Sequence, residues 1–60
     1  MQIFINNITQ RQEVIEAITT LTLDGVVSPE IAHREIALLE DQIAILKRMQ
    51  AKAHTIKNLN

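Results

Sequence analysis

The sequence contains no cysteine, one glycine, one proline and a single aromatic residue, Phe4. The absence of cysteine excludes disulfides, and two histidines far apart in sequence do not supply a metal site. A chain of 60 residues has a marginal core, since it buries only about 60% of the surface that its unfolded state exposes. Small domains usually add a disulfide, a metal or oligomerisation, and this composition leaves oligomerisation.

An excess of charge and a long apolar run are also missing. Six Lys and Arg against seven Asp and Glu give a net charge of -1, which removes the general attraction that non-specific nucleic-acid binders use. No apolar run approaches the roughly 20 residues that cross a bilayer, and the first residues lack the pattern of a signal peptide. We therefore expect a cytoplasmic protein that does not contact the membrane.

The first residues, MQIFIN, alternate polar or aromatic side chains with Ile3 and Ile5. A period of two is typical of a short strand. The rest of the chain offers no convincing strand to pair with it, so its partner would be a second copy. We predict an extended arm or short strand over residues 1–7.

A first helix is predicted over residues 10–23. Thr9 and Gln12 fit a capping box, and Asp24-Gly25 suits the end of a helix. The apolar side is formed by Val14, Ile15, Ile18 and Leu21, and the outer side by Arg11, Gln12, Glu13 and Glu16. The β-branched run at 19–23 also suits a strand, but too few residues follow it to form a pairing strand.

A second, longer helix is predicted over residues 29–57. Ser28 is a favoured N-cap, Pro29 suits the first helical position, and Glu30 complements the helix dipole. No glycine or proline follows, so this helix spans about 43 Å, against about 21 Å for the first. A tight turn would fold helix one back over only the first half of helix two.

Helix two carries more apolar surface than one neighbour can cover. Beside a coiled-coil seam of Ala32, Ile36, Leu39, Ile43 and Leu46 lies a second row of apolar residues, Ile31, Leu38 and Ile45, at intervals of seven. An apolar arc of this width needs two neighbouring helices. We predict an all-α helical hairpin that forms an antiparallel homodimeric four-helix bundle, with a dimer interface of Ile36, Leu39, Ile43, Leu46, Met49, Ala53 and Ile56.

The order of charges along helix two favours an antiparallel pairing of two copies, since acidic residues precede basic ones. With a two-fold axis near Ala44, the electrostatic contacts would be made by Glu40, Asp41, Lys47, Arg48 and Lys52. Exposed pairs of this kind contribute about 0 to 1 kcal/mol each, so they would select orientation more than affinity. The alternative is that this order only complements the helix dipole.

The sequence shows no catalytic or ligand-binding constellation. His33 and His54 lack the spacing of helical metal ligands, and the carboxylates of Glu40 and Asp41 point about 100° apart on a helix. We predict no enzymatic activity, no cofactor and no metal. The expected function is that of a small regulatory or adaptor protein that binds itself and another protein.

Two resemblances concern the hairpin and its turn. The chain resembles RNA-binding plasmid regulators of the Rop type in length and hairpin layout, without shared motif residues. The segment GVVSPE resembles the turn of SHOCT oligomerisation domains, where a glycine, two aliphatics and a Ser or Thr cap join two helices. It departs from that pattern at Ile31 and Ala32, where the family has an acidic residue and an aromatic.

A third resemblance leaves DNA binding as a possible alternative function. The predicted order of strand, helix, turn and helix resembles ribbon-helix-helix regulators, whose paired strands enter the DNA major groove. This resemblance implies that Gln2, Phe4 and Asn6 face the bases. The absence of Lys and Arg from this segment, and the length of helix two, argue against it. Nucleic-acid binding is therefore retained as the alternative function.

Overall fold

The computed structural model describes residues 2–59, with side chains described for residues 2–54, and it contains two α-helices there. Helix α1 runs over Gln2–Leu23 and α2 over Pro29–Leu59. The two helices pack against each other as an antiparallel hairpin that is 51 Å long and 17 Å wide between Cα positions. The prediction of an all-α helical hairpin is confirmed.

The N-terminal segment is helical, so the extended arm or strand predicted for residues 1–7 is wrong over the residues that the structure describes. Helix α1 already begins at Gln2, and the predicted start at residue 10 is late. Phe4 and Ile8 stand four residues apart and both lose exposure to the contact with α2. That spacing fits one side of a helix, whereas the alternation of Ile3 and Ile5 is too short to impose a strand.

This correction removes two expectations that depended on a late helix start. Thr9 lies inside α1 with an exposed side chain, so it does not form the predicted capping box. The ribbon-helix-helix interpretation loses the strand that would contact DNA, because residues 2–7 belong to α1. Asn7 instead follows the geometry of a helix, since its side-chain amide donates to the Ile3 carbonyl at 2.8 Å.

The end of α1 is set by a Schellman motif around Gly25. The Val26 N–H donates to the Leu21 carbonyl at 2.9 Å, and the Gly25 N–H donates to the Thr22 carbonyl at 3.1 Å. These bonds satisfy carbonyls that the helix end leaves without partners. Gly25 has φ 81°, the left-handed region that glycine enters without a steric penalty.

Helix α2 begins at the predicted residue. The Ser28 hydroxyl oxygen accepts from the Ile31 N–H at 3.2 Å, which is the bond of an N-cap, and Pro29 occupies the first helical position. The helix continues to Leu59 and thus exceeds the predicted end at residue 57. Five residues, 24–28, connect the helices and return the chain, so α2 runs beside α1.

The core of the hairpin is a single seam between the helices. Its residues alternate at spacings of four and three: Phe4, Ile8, Arg11, Ile15, Ile18 and Thr22 in α1, and Ala32, Ile36, Leu39, Ile43, Leu46, Gln50 and Ala53 in α2. The buried hydrophobic residues are Ile8, Ala32 and Ile43, which are 5–8% exposed. One seam with so few buried side chains provides little hydrophobic stabilisation.

Candidate functional site

One side of the hairpin exposes large apolar side chains in register. In α2, Ile31, Leu38 and Ile45 follow one another at intervals of seven, and each is about half exposed. In α1, Val14 and Leu21 are also exposed and seven residues apart. We define the apolar face as Ile3, Val14, Ala17 and Leu21 of α1 with Ile31, Leu38, Ile45 and Met49 of α2.

Hydrogen bonds of Arg11 show that the two rows belong to the same side of the hairpin. Its Nη1 donates to the Asn7 side-chain oxygen at 3.1 Å and its Nε donates to the Gln42 side-chain oxygen at 2.8 Å. Asn7 precedes Val14 by seven residues, and Gln42 precedes Met49 by seven. Residues seven apart drift by only about 20° around a helix, so both rows border the cluster of Asn7, Arg11 and Gln42 on one side.

The predicted electrostatic residues lie mainly away from this face. Glu40 and Lys47 each follow a seam leucine by one position, which places them on the opposite side of α2. Asp41 and Arg48 are exposed on the outer side. Lys52 follows Ile45 by seven residues and lies at the far end of the apolar face. The side of the hairpin that carries Glu40 and Lys47 is mainly polar and has charges of both signs, although Ile5 of α1 is also exposed there.

The residues predicted as the dimer interface divide between two places. Within one chain, the seam buries or half-buries Ile36, Leu39, Ile43 and Leu46, because α1 is long enough to reach them. The expectation that helix one leaves Leu46 bare is therefore wrong. Ala53 is half-buried but lies beyond the level of Gln2, where α1 begins. Met49 is exposed on the apolar face, and the side chain of Ile56 lies outside the described residues.

Arg11 is a candidate functional residue whose position on helix one was predicted wrongly from the sequence. It was expected on the outer surface, but it is half-buried at a seam position between Ile8 and Ile15. Nη1 also donates to the Asn7 backbone carbonyl at 3.2 Å, while Nη2 has no acceptor among the described side chains. The signal was its spacing of three after Ile8 and four before Ile15, which is the spacing of the seam itself.

The described residues show no chemical site. No group of three His, Cys, Asp or Glu side chains comes together among them to bind a metal. An open depression at the start of α2 is lined by Pro29, Glu30, His33 and Arg34, far from His54. Between residues 2 and 59, neither helix has a stretch long and apolar enough to cross a membrane.

Comparison with known proteins found no relative of this chain. No protein-family model, curated protein or solved structure matches the chain. A proposal for its function therefore depends on the apolar face and on the Asn7, Arg11 and Gln42 cluster.

Proposed function

We propose that the chain is a small non-enzymatic regulatory or adaptor protein that functions as a homodimer. Two hairpins pack through their apolar faces into a four-helix bundle, and the bundle then binds another protein. One observation carries the proposal: large apolar side chains are exposed in register on one side of the hairpin, whereas the side bearing Glu40 and Lys47 is mainly polar and exposes one such residue, Ile5. A contiguous apolar face of this kind marks an interaction surface.

The geometry of the second seam suits a helical neighbour. Along α2, the row Ile31, Glu35, Leu38, Gln42, Ile45 and Met49 repeats the four and three spacing that the intrachain seam uses. A helix with two such rows contacts two neighbours, as in a four-helix bundle. The same row in α1 runs through Asn7, Val14 and Leu21, so both helices present a seam to the second copy.

The size of the face is adequate for a dimer. Helix α1 is about 33 Å long, and a hairpin 17 Å wide therefore offers a footprint of about 560 Å² between Cα positions. Side chains at the rim enlarge this area toward the roughly 800 Å² per partner that stable interfaces bury. When a second copy covers the apolar face, each chain gains a second hydrophobic seam. This seam would add stability that the small core of a single hairpin does not provide.

Sedimentation equilibrium at micromolar concentration tests this proposal. We expect a species of twice the chain mass of 6.8 kDa, with helicity that rises with protein concentration because folding and association are coupled. A folded monomer that retains full helicity on dilution would contradict the proposal.

The tip of the hairpin is the surface that we assign to the partner protein. Leu23 is 84% and Val26 71% exposed, and neither belongs to the apolar face. Both remain accessible when the faces are covered, and in an antiparallel dimer the two tips lie at opposite ends.

Affinity capture on the immobilised dimer tests this assignment. We expect a protein retained by the wild-type chain to be lost with Leu23→Ser and with Val26→Ser, because a small polar side chain removes the apolar contact. Glu40→Gln, a change outside the tip, is the matched control and should retain the partner. Equal retention by all four chains would exclude the tip as the binding surface.

A further inference from the structure

We infer that the second copy of this chain binds with its helices reversed, about a two-fold axis beside Leu38 and Val14, and that Arg11 of each chain pairs with Glu35 of the other. This inference rests on the proposed dimer and adds its orientation, its register and the polar contact that selects them. The occupant of the apolar face is thus a second copy in one defined position.

The spacing of the apolar residues suggests the position of the axis. Ile31 and Ile45 lie seven residues on either side of Leu38, so a two-fold axis at Leu38 pairs Ile31 with Ile45 of the other chain. Since Arg11 binds Gln42 in an antiparallel hairpin, Val14 is level with residue 39. One axis therefore passes close to Leu38 in α2 and Val14 in α1, where it pairs each of these residues with its own copy. In α1 the same axis places Leu21 level with Asn7 of the other chain.

Charge complementarity supports the same position. Glu35 is exposed on the apolar row of α2, seven residues before Gln42, and it has no hydrogen-bond partner among the described residues. About an axis at Leu38, Glu35 of one chain comes level with Asp41 of the other, one residue from Gln42 and therefore close to the level of Arg11. The Nη2 group of Arg11, which has no acceptor among the described residues of its own chain, would then meet a carboxylate.

Two other arrangements of the faces lack this complementarity. A two-fold axis parallel to the helices would place both Arg11 side chains in one layer, where the like charges repel each other. An axis at Ala44 would separate Arg11 from Glu35 of the other chain by about 16 Å along the helices and would leave Ile31 unpaired. A partly buried ion pair adds little net affinity, but it penalises registers that leave a charge unpaired.

Single cysteines test the register, and the chain has no native cysteine to interfere. A disulfide requires Cβ atoms about 3.5–4.5 Å apart, so only a residue beside the axis pairs with its own copy. We expect Leu38→Cys to form a covalent dimer under oxidation. Ile45→Cys alone should not, since its two copies lie about 21 Å apart along the helices, but it should cross-link to Ile31→Cys in a mixture.

Reversing the charge of Glu35 tests the ion pair. Glu35→Lys should raise the dissociation constant of the dimer at least about tenfold, because it places a lysine against Arg11 of the other chain. Glu40→Lys makes the same charge change on the polar side of α2 and should leave the constant within about twofold.

The outcomes separate this inference from the proposed function. Cross-linking of Ile45→Cys to its own copy, or equal effects of the two lysine variants on a stable dimer, would overturn the register or the ion pair and leave the dimer standing. A monomer in sedimentation, with no cross-link at any of the three positions, would overturn both. Cross-linking of Leu38→Cys together with a selective effect of Glu35→Lys would support the inference.

Discussion

Leu38→Asp is expected to abolish the dimer at micromolar concentration and to remove most of the helical circular dichroism signal. Leu38 is 52% exposed in the single hairpin, so the chain itself tolerates a polar side chain there. In the proposed dimer, two aspartates would face each other across the two-fold axis in an apolar surrounding. Burial of unpaired charge costs several kcal/mol, so we expect dissociation to be favoured about a thousandfold or more.

Ala37→Asp is the matched control for this prediction. Ala37 is the neighbouring residue of α2, is exposed, and lies outside the apolar face. It carries the same new charge and a similar loss of helix propensity, about 0.5 kcal/mol, and should remain dimeric in sedimentation equilibrium. A Leu38→Asp chain that stays dimeric, or one that is as helical as the Ala37→Asp chain when monomeric, would refute the role assigned to Leu38.

The loss of helicity expected for Leu38→Asp follows from the small core of the single hairpin. Among the side chains of residues 2–54, Ile8, Ala32 and Ile43 are buried, and the remaining seam side chains are half-buried. A hairpin with one seam does not compensate for the entropy of ordering two long helices. In the proposed dimer, association would therefore supply stability as well as a binding surface, and the oligomeric state would be linked to folding.

The boundaries marked by local chemistry could be predicted from the sequence. Ser28 and Pro29 fix the start of α2 through a side-chain cap and a preset backbone angle, and Gly25 fixes the end of α1 through its φ. These signals act within one turn, so they survive any tertiary arrangement. The start of α1 has no such signal, because Ile3 and Ile5 fit a short strand as well as one edge of a helix.

The long-range packing could be predicted only in part. The apolar seam of α2 was evident, but its partner depended on the length of α1. The late predicted start assigned Leu46 to a second chain instead of to α1. Arg11 was missed because a charged residue was placed outside by type, whereas its spacing put it in the seam. Its partner Gln42 lies on the other helix, and a sequence pattern does not show such a pairing.

Ile43→Ala and Ile45→Ala are matched substitutions that measure how much the second seam contributes to the free energy of unfolding. Ile43 is 8% and Ile45 48% exposed in the hairpin, so the two substitutions remove the same atoms from the two seams of α2. Ile43→Ala should lower the free energy of unfolding by about 3 kcal/mol per chain, within the range for buried isoleucine. In the proposed dimer Ile45 would be buried as well, so Ile45→Ala should lower the free energy of unfolding by about 2–3 kcal/mol per chain.

If the protein were a monomeric hairpin, the two substitutions would lower the free energy of unfolding by clearly different amounts. Because about half of the Ile45 side chain is already exposed in the monomer, it would contribute only about 1 kcal/mol to the free energy of unfolding, well below the contribution of Ile43. Urea unfolding followed by circular dichroism, repeated at two protein concentrations, separates the cases, because a dimer has a midpoint that rises with concentration. A concentration-independent midpoint with Ile45→Ala near wild type would restrict α2 to one seam and leave its apolar face to a partner other than a second copy.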